Sequence, residues 1–295
     1  MRLGIDLGGT KIEIVALDDE GREIYRKREL TPSGDYAATL LTITRLVHDA
    51  ESKLGRASSI GIGTPGAISK ADGLLKNSNS TCLNGRPIAR DIESHLDRQV
   101  RIANDANCFT LSEATDGSAM DAGIVFGVIL GTGTGAGIVV EGKVLTGVNR
   151  ISGEWGHNPL PWPTHDELPG LPCYCGKNGC IETFLSGPGM SRWHLEKFGA
   201  SLSPEEIAMR AEDGDEACEE SMRIYESRLA RSLAHVINIL DPDIVVLGGG
   251  LSNMDRLYRT VPELWGNWVF SDRVDTRLVK HKHGDSSGVR GAAWL

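Results

Sequence analysis

Residues 3–11 read Leu3-Gly4-Ile5-Asp6-Leu7-Gly8-Gly9-Thr10-Lys11, and residues 131–137 form a second glycine-rich stretch, Gly131-Thr132-Gly133-Thr134-Gly135-Ala136-Gly137. In the first stretch an apolar run leads into glycines, whose backbone can approach an anion, and a hydroxyl and an ammonium group follow. Asp6 adds a carboxylate suited to a hydrated magnesium ion. Two turns that can hold phosphates predict a nucleotide bound between two lobes.

Neither of the two common glycine-rich nucleotide motifs fits the first stretch. A Walker P-loop ends in Gly-Lys-Ser/Thr, whereas Gly9 is followed by Thr10. A dinucleotide fingerprint needs a helix directly after its glycines, but Ile12, Ile14 and Val15 predict a β-strand. Both of the corresponding folds are therefore disfavoured.

Length and charge narrow the class of protein. The 295 residues suffice for two domains of ordinary size. With 31 basic and 40 acidic side chains the net charge is -9, which argues against a nucleic-acid partner. The chain shows no signal-peptide core and no apolar run near the roughly 20 residues of a membrane span. We expect a cytoplasmic protein that binds small molecules, neither nucleic acid nor membrane.

The chain repeats one plan twice. A strand, a glycine turn, a second strand through Leu17 and a third strand over residues 22–28 open the sequence. The same order returns as a strand over residues 124–130, the second glycine turn, a strand over residues 138–140 and a tight turn into Val144. This is an internal repeat of architecture. Apolar spacing further predicts helices over residues 36–54, 88–96 and 106–114, a long helix through Leu240, and strands over residues 60–62, 100–103 and 244–247.

Asn104 and Asp105 follow a predicted strand. Open α/β sheets present ligand-binding groups at the carboxyl ends of their strands, so both side chains are candidates for a site. Taken alone, an Asp at this position is more often a turn former or a helix cap. The residues by themselves leave both interpretations open.

Seven motifs in one order resemble the ROK family of bacterial sugar kinases, within the actin-like ATPase superfamily. They occupy residues 4–11, 63–66, 104–107, 131–137, 153–157, 173–182 and 246–250. The resemblance implies a two-domain actin-like (ribonuclease H-like) α/β ATPase fold with ATP in an interdomain cleft. It further implies a small domain of residues 1–115 joined by residues 283–295, a larger domain of residues 116–282 with a zinc-binding loop, and a homodimer.

Within the family, three segments are similar to the bacterial fructokinases: residues 77–85, 155–162 and 283–295. Many family members have Asn-Leu-x-Gly-Trp in the first of these and Cys-Gly-Cys-Gly later, whereas this chain has Leu83-Asn84-Gly85 and places Tyr174 between two cysteines. We therefore expect transfer of the ATP γ-phosphoryl group to fructose, giving fructose 6-phosphate. Glucokinase, mannokinase and N-acetylglucosamine kinase are the alternatives within the family.

The resemblance also assigns roles to single residues. It gives Asp105 the role of the base that deprotonates the attacking hydroxyl, and it places Mg²⁺ near Asp6. The sugar-binding set is Asn79, Asn104, Asp105, Glu154, His157 and Glu182. The nucleotide-binding set is Gly4, Asp6, Gly8, Gly9, Thr10, Lys11, Thr132, Gly133, Gly135, Gly249 and Gly250.

His157, Cys173, Cys175 and Cys180 form a candidate metal site. Three thiolates and one imidazole suit tetrahedral Zn²⁺, and four protein ligands leave no open position for water, so the predicted role is structural. Gly176 and Gly179 allow the chain to curl around an ion. The other three cysteines are expected to be buried, apolar-like residues.

Two functions without catalysis are the alternatives to an enzyme. The family contains transcriptional repressors that carry a DNA-binding domain before the phosphate turn, whereas only residues 1–3 precede it here. A sugar sensor without catalysis is the other alternative. Asp105 and both phosphate turns favour an enzyme over a sensor.

Overall fold

The computed structural model describes residues 1–78 and 80–295 and has a mixed α/β architecture. Its strands are β1 (Arg2–Leu7), β2 (Lys11–Leu17), β3 (Glu23–Leu30), β4 (Ser59–Thr64), β5 (Ala67–Ile68), β6 (Leu75–Lys76), β7 (Arg101–Asn104), β8 (Ile124–Leu130), β9 (Thr134–Val140), β10 (Lys143–Val144), β11 (Ile244–Gly248) and β12 (Arg277–Lys280). Its α-helices are α1 (Tyr36–Leu54), α2 (Ile88–Leu96), α3 (Asp105–Thr115), α4 (Ile181–Leu185), α5 (Gly187–Phe198), α6 (Pro204–Glu212), α7 (Glu216–Leu240), α8 (Leu257–Trp265) and α9 (Ser287–Trp294). Short 3₁₀ helices cover Thr81–Leu83, Trp155–His157, His165–Glu167, Gly250–Asn253 and Gly284–Ser286.

Two main sheets share one strand order, as the predicted repeat of architecture requires. The first runs β3-β2-β1-β4-β7, with β1 antiparallel to β2 and parallel to β4. The second runs β10-β9-β8-β11-β12, with β11 parallel to both β8 and β12. When the five strands of each sheet are numbered in chain order, both sheets read 3-2-1-4-5. A small third sheet pairs β5 with β6.

The chain folds into two compact units. Unit 1 comprises Met1–Asp121, Gly137–Ser152 and Lys282–Leu295, and unit 2 comprises Ala122–Ala136 and Gly153–His281. The boundaries expected from the sequence, 1–115 with 283–295 against 116–282, differ from this division mainly in the placement of residues 137–152. The expected domain boundaries remain a prediction.

The core of unit 1 follows from the apolar patterns in the sequence. Leu3, Ile5 and Leu7 of β1 are buried against apolar residues of α1 and α2. Buried α1 side chains such as Leu40, Ile43 and Val47 recur every three to four residues, which is the spacing that places them on one helical face. This face covers the first sheet and holds its strands in place.

The carboxyl-terminal helix α9 packs against β1 and β4 at very short range. A Cβ atom at Gly4 would lie 2.1 Å from the carbonyl oxygen of Val289, and one at Gly61 would lie 1.8 Å from that of Ala292. Only glycine permits such an approach between a strand and a helix backbone. Gly4, predicted to bind the nucleotide, therefore has a packing role in the middle of β1.

Glu113 fastens the carboxyl-terminal segment to α3. Its buried carboxylate accepts hydrogen bonds from the Ser287 hydroxyl at 2.8 Å and from the main-chain amides of Lys282 and Ser118 at 3.0 and 2.9 Å. Asp116, one turn further along, accepts a hydrogen bond from His283 and pairs with Arg290. These two acids explain how the end of the chain is joined to unit 1.

The longest helix, α7, has an apolar stripe that includes Leu229, Leu233 and Val236. It also buries charged side chains, among them Arg228 and Arg231. Across residues 1–78 and 80–295, none of the helices combines the length and the apolar character that crossing a bilayer requires.

Glu113→Ala should lower the free energy of unfolding by about 3–5 kcal/mol, because several buried donors lose their acceptor at an individual cost of about 1–3 kcal/mol. Chemical denaturation measures this loss. Glu196→Ala, at an exposed helical position, is the matched control and should change little. Equal stabilities for the two variants would contradict the role given to Glu113.

Candidate active site and metal-binding cluster

The carboxyl ends of three parallel strands gather polar groups at one edge of the first sheet. Asp6, near the end of β1, pairs in register with Gly63 of β4. Thr64, the last residue of β4, pairs with Asn104 at the end of β7. Because parallel strands end at the same edge, Asp6 and Asp105 belong to one group of side chains, and the charge of Asp105 acts on the Asp6 carboxylate.

Asn104 and Asp105 form the start of α3. The Asn104 Oδ1 and the Asp105 Oδ1 both accept from the Ala106 amide, at 2.9 and 2.8 Å. The Asn104 amide group donates to the Gly66 carbonyl at 3.3 Å. The capping function that the sequence left open is thus present. It also serves the site, because it fixes both side chains at the helix amino terminus, where the helix dipole favours negative charge.

Asp6 has a perturbed acidity. Burial, followed by the charges of Asp105 and Glu13, raises the pKa of Asp6 to about 7, against weaker lowering by Lys11 and Arg28. Glu13 is itself buried and paired with Arg28 at 2.8 Å. A divalent cation would relieve the repulsion between carboxylates, so this donor set fits the Mg²⁺ ion that the resemblance implies.

The first glycine turn links β1 to β2, as predicted. The Gly8 amide donates to the Lys11 carbonyl at 3.0 Å. Thr31, which the sequence did not single out, steadies the turn by donating its hydroxyl to the Gly8 carbonyl at 2.7 Å and its amide to the Thr10 carbonyl at 3.0 Å. Gly9 and Thr10 are exposed at the tip of the turn.

The second glycine turn is shorter than predicted. Strand β9 begins at Thr134, not at residue 138, so the turn spans residues 131–133. Gly135 accordingly lies in a strand, although the resemblance assigns it to the nucleotide. Gly137 has a packing reason to be glycine, because a Cβ atom there would lie 2.6 Å from the Ala106 carbonyl oxygen. Thr132 is exposed at the tip of the turn.

Within unit 2, Glu182 contacts this turn. Its Oε2 accepts a hydrogen bond from the Thr134 amide at 2.9 Å, and a Cβ atom at Gly133 would lie 2.7 Å from the same oxygen. A residue predicted to bind sugar is thereby joined to a turn predicted to bind phosphate. Gly249, which follows β11, lies next to the start of this turn, because a Cβ atom there would lie 2.3 Å from the Leu130 carbonyl oxygen. Gly250 then begins a 3₁₀ helix.

The four predicted metal ligands come together. Their ligand atoms lie within 4.8 Å of one another, with 3.5 Å between the Cys173 Sγ and the His157 Nδ1 and 3.5 Å between the Cys175 and Cys180 sulfurs. Ligands about 2.3 Å from a tetrahedral ion are separated by about 3.8 Å, so the spacing fits zinc. Gly176 and Gly179 adopt φ values of 86° and 69°, which glycine accepts readily.

The thiols of the metal-binding cluster differ in acidity. Burial raises the pKa of Cys180 to about 12, whereas a hydrogen bond from the main chain of Lys177 lowers the pKa of Cys175. A bound metal ion would displace the remaining protons, since it binds thiolates and not thiols.

Tyr174 is joined to the cluster through His157. Its hydroxyl oxygen lies 2.9 Å from the His157 Nε2, and the two rings meet edge to face with their centroids 5.0 Å apart. Burial, then the charges of Glu182, Cys173 and Glu154, raises the pKa of Tyr174 to about 12. The phenol therefore contacts His157, one of the predicted sugar-binding residues, a contact that sequence reasoning missed.

The loop before the cysteines has its own anchor. Glu167 accepts hydrogen bonds from Arg228 and Arg231 on α7, both at 2.8 Å. Burial alone would raise the pKa of Glu167, but the hydrogen bonds from Arg231 and Arg228 lower it to about 2. The sequence suggests that little besides metal would order residues 159–172. This buried ion pair network corrects that expectation.

Asn79, one of the predicted sugar contacts, lies outside the described residues. Ser78, the preceding residue, forms two hydrogen bonds with Asn84. The Ser78 amide donates to the Asn84 Oδ1 at 2.9 Å, and the Asn84 amide group donates to the Ser78 carbonyl at 2.8 Å. Asn84, part of the fructokinase-like segment, therefore shapes its own loop.

Comparison with known proteins identifies the family. The model of the ROK family matches residues 2–295. The N-acetyl-D-glucosamine kinase of Pectobacterium carotovorum is 39% identical over 299 residues, covering 100% of this chain and 98% of the relative.

Two crystal structures share the fold. The ROK hexokinase from Thermus thermophilus has a TM-score of 0.87 at 29% identity, covering 99% of this chain and 96% of that one. The ROK family glucokinase from Streptomyces griseus, in complex with glucose and AMPPNP, has a TM-score of 0.79 at 25% identity, covering 100% and 98%.

The chain belongs to the ROK family. The predicted actin-like ATPase fold is confirmed by these structures. Several curated relatives at 39–41% identity over the whole chain are N-acetyl-D-glucosamine kinases, not the fructokinases that the sequence predicted. They match an alternative that the sequence left open.

Asp6→Asn should stabilise the nucleotide-free protein at pH 8. In the folded state Asp6 keeps its proton up to a pKa of about 7, against an ordinary value of 3.8. The folded state therefore holds more protons between these values, and the free energy of unfolding falls as the pH rises through them. Removing the charge should raise the free energy of unfolding by up to about 4 kcal/mol at pH 8 and should change it little near pH 4.

Thermal unfolding of both proteins at pH 5 and pH 8, without divalent cation, measures the effect. The exposed Asp97→Asn variant controls for the substitution itself. An Asp6→Asn protein that is no more stable than the wild type at pH 8 would refute the buried charge proposed for Asp6.

Proposed function

We propose that this protein is an ATP-dependent sugar kinase, which transfers the γ-phosphoryl group of ATP to a sugar hydroxyl. The observation that carries the proposal is the pairing of Asp6 with Asp105 at the carboxyl ends of parallel strands, beside a glycine turn with an exposed threonine. Phosphoryl transfer needs such a set of positioning groups, a base and a cation site.

In this proposal Asp105 accepts the proton of the attacking hydroxyl. The hydrogen bond from the Ala106 amide to the Asp105 Oδ1 fixes this carboxylate at the start of α3. A strong base is unnecessary, because in a loose transition state the proton leaves late, when the bridging oxygen is already acidic. Asn104, fixed by Gly66 and Ala106, would orient a neighbouring hydroxyl.

The glycine turns would hold the phosphates. Thr10 and Thr132 are exposed at the tips of their turns, and the nearby backbone amides are donors suited to phosphate oxygens. Gly249 and Gly250 would lie beside the adenosine. Mg²⁺, held with the help of Asp6, would neutralise charge on the transferring group.

The relatives favour N-acetylglucosamine as the acceptor, because that sugar appears in the names of proteins 39–41% identical along the whole chain. Fructose is the second candidate, supported by residues 77–85 and by Tyr174, which depart from the commoner family pattern. For either sugar the proposed contacts are Asn79, Asn104, Asp105, Glu154, His157 and Glu182.

We further propose that His157, Cys173, Cys175 and Cys180 bind a structural Zn²⁺ ion. The spacing of their ligand atoms supports this. The metal would fix the position of the His157 ring and of the chain around Glu182, which follows Cys180 by two residues. The Glu167 network should keep residues 159–167 in place when the metal is removed.

A panel of sugars with MgATP tests the function. Comparison of kcat/KM for N-acetylglucosamine, fructose, mannose and glucose should show one clearly preferred acceptor, with formation of one sugar phosphate per ADP. Preference for fructose would restore the fructokinase hypothesis. Binding of a sugar without ATP consumption would instead indicate a sensor.

Asp105→Asn should keep the fold, because its amide oxygen can still accept from the Ala106 amide, but it should lose about two to four powers of ten in kcat. Steady-state kinetics with the preferred sugar measures the loss, and Asp97→Asn again serves as the control. Near-normal kcat would remove Asp105 from the mechanism.

Metal analysis should find about one zinc per chain. Cys175→Ser should weaken sugar binding more than nucleotide binding, since it loosens the cluster that positions His157, while the first glycine turn in unit 1 depends on Thr31. Calorimetric titration with each ligand separates the two affinities. Cys82→Ser, outside the cluster, is the control. Active protein free of zinc would overturn the proposed metal site.

A further inference from the structure

A row of charged side chains crosses the first sheet at Asp6. Asp6 of β1 pairs in register with Glu13 of β2, and Glu13 pairs in register with Arg28 of β3. Residues that are paired on neighbouring strands point their side chains to the same face of the sheet. The three side chains therefore lie next to one another in the order arginine, glutamate, aspartate.

Helix α9 covers this face of the sheet. Along β2, Val15 packs with Val289 of α9, and Glu13, two residues earlier in the strand, points to the same face. A Cβ atom at Gly288 would lie 3.9 Å from the Asp6 Cγ, so the aspartate is also next to this helix. Glu13 is only 1% exposed, which makes it the buried member of the row.

Two arginines pair with the Glu13 carboxylate. Its oxygens lie 2.8 Å from the Arg28 Nε and 3.1 Å from the Arg26 Nη1. Arg26 has other partners, because its Nη2 donates to the Glu23 carboxylate at 2.7 Å and to the Ser286 hydroxyl at 2.9 Å. Among residues 1–78 and 80–295, Arg28 forms an ion pair with Glu13 alone.

Asp6 has no such partner, since it forms no ion pair with a basic side chain in the part of the chain that the structure describes. Neighbouring strands are about 4.8 Å apart, so Arg28 and Asp6 are separated by about two such spacings, a gap that a long arginine side chain can largely bridge. Without the charge of Glu13 between them, Asp6 would be the next carboxylate along the row for the Arg28 guanidinium.

We infer that Glu13 is a positioning residue of the cation site, which holds Arg26 and Arg28 away from Asp6 and so leaves the Asp6 carboxylate available to a divalent cation. This inference rests on the proposed kinase function and adds to it a buried acid that is not itself a ligand. The physical reason is competition, because a guanidinium beside Asp6 would repel a dication and occupy the oxygens that bind it.

Glu13→Gln tests this role, because it keeps the shape of the side chain and removes the charge. Calorimetric titration with a non-hydrolysable ATP analogue, with and without Mg²⁺, gives the Mg²⁺ factor, by which the cation tightens nucleotide binding. We expect Glu13→Gln to lower the Mg²⁺ factor about 3- to 20-fold, since the arginine charges are no longer offset near Asp6. A purely structural disturbance would weaken binding equally in both titrations and leave the Mg²⁺ factor unchanged.

Removal of the arginine charge as well should restore the effect of the cation. In the Glu13→Gln/Arg28→Gln double variant the two lost charges offset each other, and we expect the Mg²⁺ factor to return to within about 3-fold of the wild type. Arg28→Gln alone should raise the Mg²⁺ factor about 2- to 5-fold. Lys27→Gln is the matched control, because the neighbouring Lys27 pairs with Asp49 of α1, on the opposite face of the sheet, at 2.6 Å.

Two results would overturn the inference in a protein whose nucleotide binding responds to Mg²⁺. One is a Glu13→Gln variant with the Mg²⁺ factor of the wild type. The other is a lowered factor that the double variant does not recover, because the glutamate would then only support the fold. If circular dichroism shows that Glu13→Gln does not fold, Arg28→Gln decides: a raised Mg²⁺ factor supports the inference, and an unchanged or lowered one contradicts it.

Failure of the kinase proposal is a separate result. If the wild type phosphorylates none of the sugars but Mg²⁺ tightens binding of the ATP analogue, the same variants still decide the role of Glu13. If Mg²⁺ leaves the affinity of the wild type unchanged, or the analogue does not bind, Asp6 receives no cation with a nucleotide and the inference is contradicted.

Discussion

The burial of the Asp6 carboxylate beside the charge of Asp105 is the constraint on which the candidate active site of unit 1 depends. Strands β1 and β7 both pair with β4, one on each side, and so bring two acids into a partly buried place. Burial, followed by the charge of Asp105, raises the pKa of Asp6 to about 7. A protein retains such an arrangement when a ligand that offsets the charge, such as a divalent cation with a nucleotide, completes it.

The surrounding structure holds these strand ends rigidly. Glycine at positions 4 and 61 lets α9 lie directly on β1 and β4, and Glu113 fastens the start of that helix to α3, which itself begins at Asp105. Asn104 caps the same helix. The two acids are therefore positioned by backbone packing more than by the conformations of their own side chains.

Unit 2 joins its candidate sites in a different way. Glu182 contacts the second glycine turn through the Thr134 amide, and it follows the cysteine cluster by two residues. Tyr174 contacts His157 of that cluster, with its hydroxyl oxygen 2.9 Å from the Nε2. Changes at the metal ligands should therefore be felt at the proposed sugar contacts.

Local sequence is sufficient to predict most elements. The helix over residues 88–96 has the predicted ends, and the strand order repeats as expected, because apolar periodicity and glycine turns act over short distances. The predicted start of β9 lies four residues too late, since Gly135 and Gly137 look like turn residues when the packing of Gly137 against α3 is unknown. The packing role of Gly4 is hidden for the same reason.

Contacts between residues far apart in the chain could not be derived from sequence. Glu113 reads as an ordinary helical acid, and only the folded chain brings it to Ser287. Thr31 and Tyr174 likewise gain their roles from residues 17 or more positions away. The four ligands of the metal-binding cluster could be predicted, because glycine and cysteine spacing within a short loop largely determines how they meet.

A direct titration of Asp6 tests the central claim that the Asp6–Asp105 pair is built to receive a cation with its nucleotide. Carbon-13 NMR of protein labelled at aspartate carboxyl carbons, with Asp6→Asn to assign the signal, gives its pKa with and without Mg²⁺ and a non-hydrolysable ATP analogue. We predict a pKa of about 7 for the free protein and a fall into the ordinary carboxyl range with both ligands bound. An ordinary pKa in the free protein, or a raised value that the ligands leave unchanged, would contradict the claim.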